Sequence, residues 1–149
     1  MIRKATLEDL DNLDLYTMGM AFYKESNLPG TFVPSTFRAN WQKFITLDIG
    51  IVFLLFEDDK IIGAIGGLIH PDPYDAELVA QEMFWFTSPK SRGKLGAIKL
   101  YLTFEAWAKE RSAKRLCMAC VCNHMVGKLR NFYESRGFTP KDISYFKAL

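Results

Sequence analysis

The stretch EMFWFTSPKSRGKLGAIKLYLTFEAW, residues 82–107, contains two kinds of structure and the join between them. Phe84, Trp85 and Phe86 are aromatic strand formers. Beyond them Ala97, Leu100, Tyr101, Phe104, Trp107 and Ala108 recur at helical spacing, while Lys99, Thr103, Glu105 and Lys109 fall mostly elsewhere around the helix. The stretch therefore reads strand, short loop, long helix. Its loop, Ser88 to Gly96, brings two glycines and three cations to a helix start, where the dipole ordinarily favours carboxylates. Cations there call for an anion from outside the chain. Backbone N–H groups, the dipole and Arg92 or Lys94 together form a phosphate cradle.

Upstream, Ile2 to Thr6 reads as a short strand, and Thr6 with Asp9 resembles a capping box at the start of a helix. Leu10, Leu13, Thr17, Met20, Ala21 and Lys24 give that helix its stripe, and Ser26 to Gly30 ends it. A second helix is expected after Pro34 and Ser35, with Phe37, Trp41, Phe44 and Ile45 on its apolar face. Ile49–Phe56 and Ile61–Ile69 are nearly continuous apolar runs around the turn Glu57–Lys60, a hairpin of buried strands. Gly63, Gly66 and Gly67 mark a bulge or a close backbone approach in its second strand. After the loop His70–Tyr74, Glu77 to Thr87 forms the strand that enters the opening stretch. A strand from Arg115 to Cys122, reached through the long helix, is expected to pair with it in parallel. A last helix carries Val126, Leu129, Phe132 and Tyr133 and stops at Gly137; Phe138 and Ile143–Leu149 supply a final strand or hairpin.

A chain of 149 residues with 49% hydrophobic content fits one packed domain, residues 1–149. A net charge of +2, from 19 basic residues scattered among 17 acidic ones, gives nucleic-acid binding no support. Neither a signal region nor a membrane span is visible, so a soluble, cytoplasmic protein is expected. Cys117, Cys120 and Cys122, followed by His124, raise the question of a metal. On a strand Cys120 and Cys122 share one face and Cys117 takes the other, so they do not converge on one ion, and no metal is expected. Three thiols also argue against a disulfide framework.

Two separated motifs coincide with this order of elements: Ser88-Pro-Lys-Ser-Arg92-Gly93-Lys94-Leu95-Gly96-Ala97 at a helix start, and Phe132-Tyr133-Glu-Ser-Arg-Gly137-Phe138 near the C-terminus. With the opening Ile2-Arg-Lys-Ala-Thr-Leu-Glu-Asp9, they make the whole chain resemble the GNAT superfamily, the GCN5-related N-acetyltransferases. The resemblance implies an α+β fold: a mixed, mostly antiparallel sheet of about six to seven strands, splayed at two parallel central strands and flanked by about four helices. It also implies acetyl-CoA as co-substrate and allows a homodimer. Pyrophosphate contacts would fall on Arg92, Gly93, Lys94, Leu95, Gly96 and Ala97, and pantetheine and oxyanion contacts on the backbone of Phe84, Trp85, Phe86 and Thr87. The family loop carries Gly where this chain has Leu95, a side chain at the point of close pyrophosphate approach. Either Leu95 weakens the site, or Gly93 and Gly96 serve the same turn in another form.

Acetyl transfer to an amine needs a neutral amine, a stabilised oxyanion and a proton for the departing thiolate. The resemblance assigns the last role to Tyr133, which otherwise continues the stripe of Val126, Leu129 and Phe132. Glu82 is the candidate base. By alternation it shares a face with Phe84 and Phe86, where desolvation would raise its pKa; on an open face it is a surface charge, leaving Glu77 or a water chain as base. His70 reads as a loop residue and His124 as an outside candidate. No cysteine occupies an evident nucleophile position, which favours direct transfer in a ternary complex to a primary amine of a small molecule or protein. The alternative is a non-catalytic binding or interaction module of the same fold with weak or lost CoA binding.

Overall fold

A computed structural model describes residues 1–149 except Cys122, His124 and Ala148. Its strands are β1 (Ile2–Lys4), β2 (Gly50–Glu57), β3 (Lys60–Pro71), β4 (Leu78–Thr87) and β5 (Arg115–Cys117). Its helices are α1 (Leu13–Glu25), α2 (Pro34–Thr46), α3 (Leu95–Glu110) and α4 (Val126–Ser135). The strands form one sheet in the order β1-β2-β3-β4-β5. All neighbours are antiparallel except β4 and β5, which run parallel through Val79/Arg115, Ala80/Leu116 and Gln81/Cys117.

Alternation along β2 sends its buried residues to both sides of the sheet. Ile51, Phe53 and Leu55 meet Leu100, Phe104, Trp107 and Ala108 of α3. Val52 and Leu54 join Leu10, Leu15, Met18 and Trp41 beneath α1 and α2. All six residues of the stripe expected on α3 are buried. No described helix is long and apolar enough to cross a membrane.

Several expectations are corrected. Thr6 does meet Asp9, whose carboxylate accepts the Thr6 N–H at 2.7 Å, but this closes only a 3-10 turn, Leu7–Asp11. Asn12, accepting the Asp14 N–H at 2.9 Å, then starts α1 afresh. The new start shifts the stripe: Leu15, Met18 and Gly19 are buried, whereas Leu13 and Met20 face solvent.

Five strands form among the described residues, against the six to seven expected, and the parallel pair lies at the sheet edge rather than its centre. The segment from Phe138 onward adopts no strand among the described residues, and Ile143, Tyr145 and Phe146 are exposed. Strand β5 stops at Cys117, short of the expected Cys122, because the next available N–H, that of Ala119, bonds a β4 side chain rather than the β4 backbone. The alternation argument about the thiols therefore does not hold beyond Cys117, and Cys122 and His124 lie outside the described residues.

Candidate active site

The register of β4 against β3 slips at a pair of glycines. Gly66 stands opposite Phe84 and Gly67 opposite Glu82, so Met83 is an extra residue in a β-bulge and is half exposed. Both glycines are required by close approach. A Cβ on Gly66 would lie 2.4 Å from the Phe84 ring, and one on Gly67 would lie 2.2 Å from the Gln81 carbonyl oxygen and 2.7 Å from the Phe104 ring. The bulge breaks alternation, because an inserted residue returns the following side chains to the other face. Phe84 and Phe86 pack toward α1 and α2, with Phe84 stacked on Trp41 at 4.7 Å. Glu82 instead faces the α3 side, across from Gly67, and does not share the face expected from simple alternation.

Glu82 is 6% exposed, and its Oε2 accepts the Ala119 N–H at 2.9 Å. Desolvation pushes its pKa up to about 7, against the opposing pull of that hydrogen bond. The hydroxyl of Tyr133 donates to the carbonyl oxygen of the same Ala119 residue at 3.1 Å. Tyr133 is 7% exposed among Trp85, Phe132 and Phe138. Burial raises its pKa well above that of an ordinary phenol, and the charges of Glu82, Cys120 and Tyr101 push the same way. Tyr133 is thus a protonated donor at neutral pH. Residue 119 brings the two candidate catalytic groups together, one through its N–H and one through its C=O.

Beyond Gln81 no strand pairs with the β5-facing edge of β4 among the described residues, so Phe84, Trp85, Phe86 and Thr87 lie on an edge open to an extended ligand. The carbonyl of Thr87 is already taken, accepting from Arg92 Nε at 3.1 Å. Loop geometry then sets up α3. The Ser91 and Lys94 N–H groups bond Ser88 and Ser91 carbonyls, Gly93 turns the chain at φ +71°, and Lys94 precedes the helix without a side-chain cap. The N–H groups of its first turn are the orphan donors of any helix start, and Ala97 alone of the first three finds a local acceptor, Lys94. Leu95 is 65% exposed, Gly96 sits against Leu55, and Ala97 is buried. Leu95 lines a groove of about 860 Å³ on the far side of α3, with Met1, Phe56, Ile62 and Lys99, which includes neither Glu82 nor Tyr133.

Arg92 does not extend toward the α3 N-terminus. Its Nη2 donates to both carboxylate oxygens of Glu25, at 2.7 and 2.8 Å, and its guanidinium lies 5.3 Å over the Phe86 ring. Glu25 and Ala119 are residues that sequence reasoning missed. For Glu25 a signal existed, since a carboxylate in the last turn of a helix opposes the dipole and needs a partner. Ala119 acts through its backbone and leaves no trace in residue type. Of the sequence candidates, Glu77 pairs instead with Arg115, at 3.3 Å, and His70 Nδ1 lies 3.0 Å from the Pro71 carbonyl. Among the described residues no three His, Cys, Asp or Glu side chains converge as a metal site.

The family model described as acetyltransferase (GNAT) family matches residues 14–138. No curated protein matches the chain in sequence. Among solved structures, a predicted acetyltransferase with acetyl-CoA from Clostridium acetobutylicum superposes with a TM-score of 0.79 at 18% identity, covering 99% of this chain and 95% of its own. An aminoglycoside acetyltransferase from an uncultured soil metagenomic sample, in complex with sisomicin, gives 0.74 at 14% identity, over 100% and 95%. Ribosomal-protein-alanine N-acetyltransferase from Brucella melitensis biovar Abortus 2308 gives 0.75 at 17%, over 100% and 98%. At such identities the structures speak to the fold, and the family model to descent. The chain belongs to the GNAT acetyltransferase family.

Proposed function

We propose that this chain is a cytoplasmic N-acetyltransferase that uses acetyl-CoA and transfers the acetyl group directly to a primary amine within a ternary complex. The observation that carries this reading is the meeting of a buried carboxyl group of pKa about 7 and a protonated phenol at one residue, where β4 and β5 part. The residues present fit acetyl-CoA: an open backbone edge on β4 for an extended arm, and an uncapped helix N-terminus beside Lys94 for a diphosphate. Acetyl-CoA supplies the acetyl group as an activated thioester. Glu82, ionised near neutral pH, accepts the proton of the incoming ammonium, and backbone N–H groups of Phe84 to Thr87 steady the oxygen on which charge develops. Tyr133 gives its proton to the departing sulfur. Both side chains exchange their bonds to Ala119 for the reacting groups as they do so.

Leu95 is the residue that would favour a binding module without catalysis; its side chain is exposed and lines the groove with Met1 and Phe56, which includes neither Glu82 nor Tyr133. The test has two parts. Calorimetric titration with acetyl-CoA should show binding, and thiol release should appear with some member of a panel of polyamines, aminoglycosides, amino acids and peptide N-termini. Tyr133→Phe should lower kcat by about 10- to 1,000-fold while leaving acetyl-CoA affinity within a factor of about two. Absence of binding at millimolar acetyl-CoA would remove the proposal, and unchanged turnover in the variant would take the acid role from Tyr133.

A further inference from the structure

Arg92 and Glu25 each sit at the helix end that disfavours their charge. Arg92 lies beside the N-terminus of α3, where a carboxylate is favoured, and Glu25 is the last residue of α1, where a cation is favoured. Each is the other's partner. The bidentate pair links residues 67 apart in sequence, with the two side chains 18% and 27% exposed. Glu25 also accepts, through its main-chain oxygen, a 3.4 Å hydrogen bond from Asn123 Nδ2, just beyond β5. The end of α1, the loop before α3 and the segment after β5 therefore meet at one residue.

We infer that Glu25 is an internal counter-anion of the phosphate loop, a positioning residue that holds Arg92 until the diphosphate of the co-substrate takes it. The inference rests on the CoA-binding reading proposed above. A diphosphate at the α3 N-terminus carries more than one negative charge and also accepts from the backbone N–H groups at the positive end of the dipole, so it outcompetes a single carboxylate for the guanidinium. Release is inexpensive because the Glu25 side chain already reaches solvent. The Nε bond to the Thr87 carbonyl keeps Arg92 at the end of β4 while its terminal nitrogens change partner. Filling the phosphate loop thereby unfastens the end of α1 and the 26–33 connection to α2, coupling the two faces of the sheet.

A four-member comparison tests this: CoA affinity measured by calorimetry in the wild type, Glu25→Gln, Arg92→Gln and the double variant. Removal of the competing carboxylate should tighten CoA binding about three- to fivefold, the scale of a part-exposed ion pair. Arg92→Gln should weaken it, and in that background Glu25→Gln should have no effect. If Glu25→Gln weakens CoA binding, leaves it unchanged, or acts equally without Arg92, the pair is scaffold and the inference falls. Thermal melts identify a variant that fails to fold, and Glu25→Asp, which keeps the charge at shorter reach, then takes its place with affinity expected between wild type and Glu25→Gln. Failure of the wild type and every variant to bind CoA is a different pattern, which would remove the proposed function and this inference with it.

Discussion

Glu82 is where burial acts on the group proposed as the base. A carboxyl group with a pKa of about 7 is half ionised at neutral pH, so kcat/KM should rise through that range and level off above it. Replacing it with Gln, which still accepts the Ala119 N–H, should erase this limb and lower the plateau by about 10²- to 10⁴-fold. The same group sets a trend in stability. Below about pH 4.5, its ordinary value, Glu82 is protonated in the folded and unfolded chain alike. As the pH rises the unfolded chain releases the proton first. Stability therefore falls, and above about pH 7 the full difference, on the order of 3 kcal/mol, is gone. Urea titrations of wild type and Glu82→Gln should agree in slope with pH below the carboxyl range and diverge above it, the variant being the more stable at pH 8. Parallel curves across pH 5–8 would show that the carboxyl is not desolvated.

Among elements, the bulge in β4 decides which face receives Glu82. Gly67 permits it, and the space at that position leaves no room for a methyl group beside the Gln81 carbonyl and the Phe104 ring. Gly67→Ala should destabilise the fold by more than about 3 kcal/mol, because backbone and core must move together. A melting temperature within a few degrees of wild type would mean that β3 and β4 slide without penalty. The glycine pair is visible in the sequence and flags a bulge, yet not which residue is inserted; alternation counted straight through Met83 therefore put Glu82 with Phe84 and Phe86. Helix α3, by contrast, was fully legible, since its stripe of six runs from a loop to a clear end with no interruption. Helix α1 was not, because Asn12 restarts the helix after a 3-10 turn, within a run whose apolar spacing continues across it, and resets its phase.

At the scale of the whole molecule, the sheet separates Trp41 from the other two tryptophans, Trp85 and Trp107. Trp41 is buried under α2 against Phe84, while Trp85 faces α3 and α4 beside Tyr101, Phe132 and Tyr133. A ligand lying along the free edge of β4 should perturb Trp85 emission and leave Trp41 nearly unchanged. Titrating acetyl-CoA into Trp41→Phe should retain the signal, whereas Trp85→Phe should lose most of it; the opposite pattern would place the ligand on the other face. The layered arrangement was readable from hydrophobic runs and helical stripes, as were the hairpin and the parallel pairing across α3. The missing sixth strand was not, because Ile143, Tyr145 and Phe146 have strand-forming side chains whatever the chain does with them. The ion pair between Glu25 and Arg92 was equally hidden, since partners 67 residues apart meet only after the sheet brings α1 to the loop.

The contact that unites Glu82 and Tyr133 is made of main chain. Any residue with an N–H can stand at position 119 and serve both groups, so an alanine scan or a comparison of side chains would pass over it in silence. Only proline, which lacks the donor yet keeps the carbonyl, would divide the pair, cutting the link to Glu82 while preserving the acceptor of Tyr133. The side chain at 119 is accordingly free to vary without touching the junction on which the proposed chemistry depends.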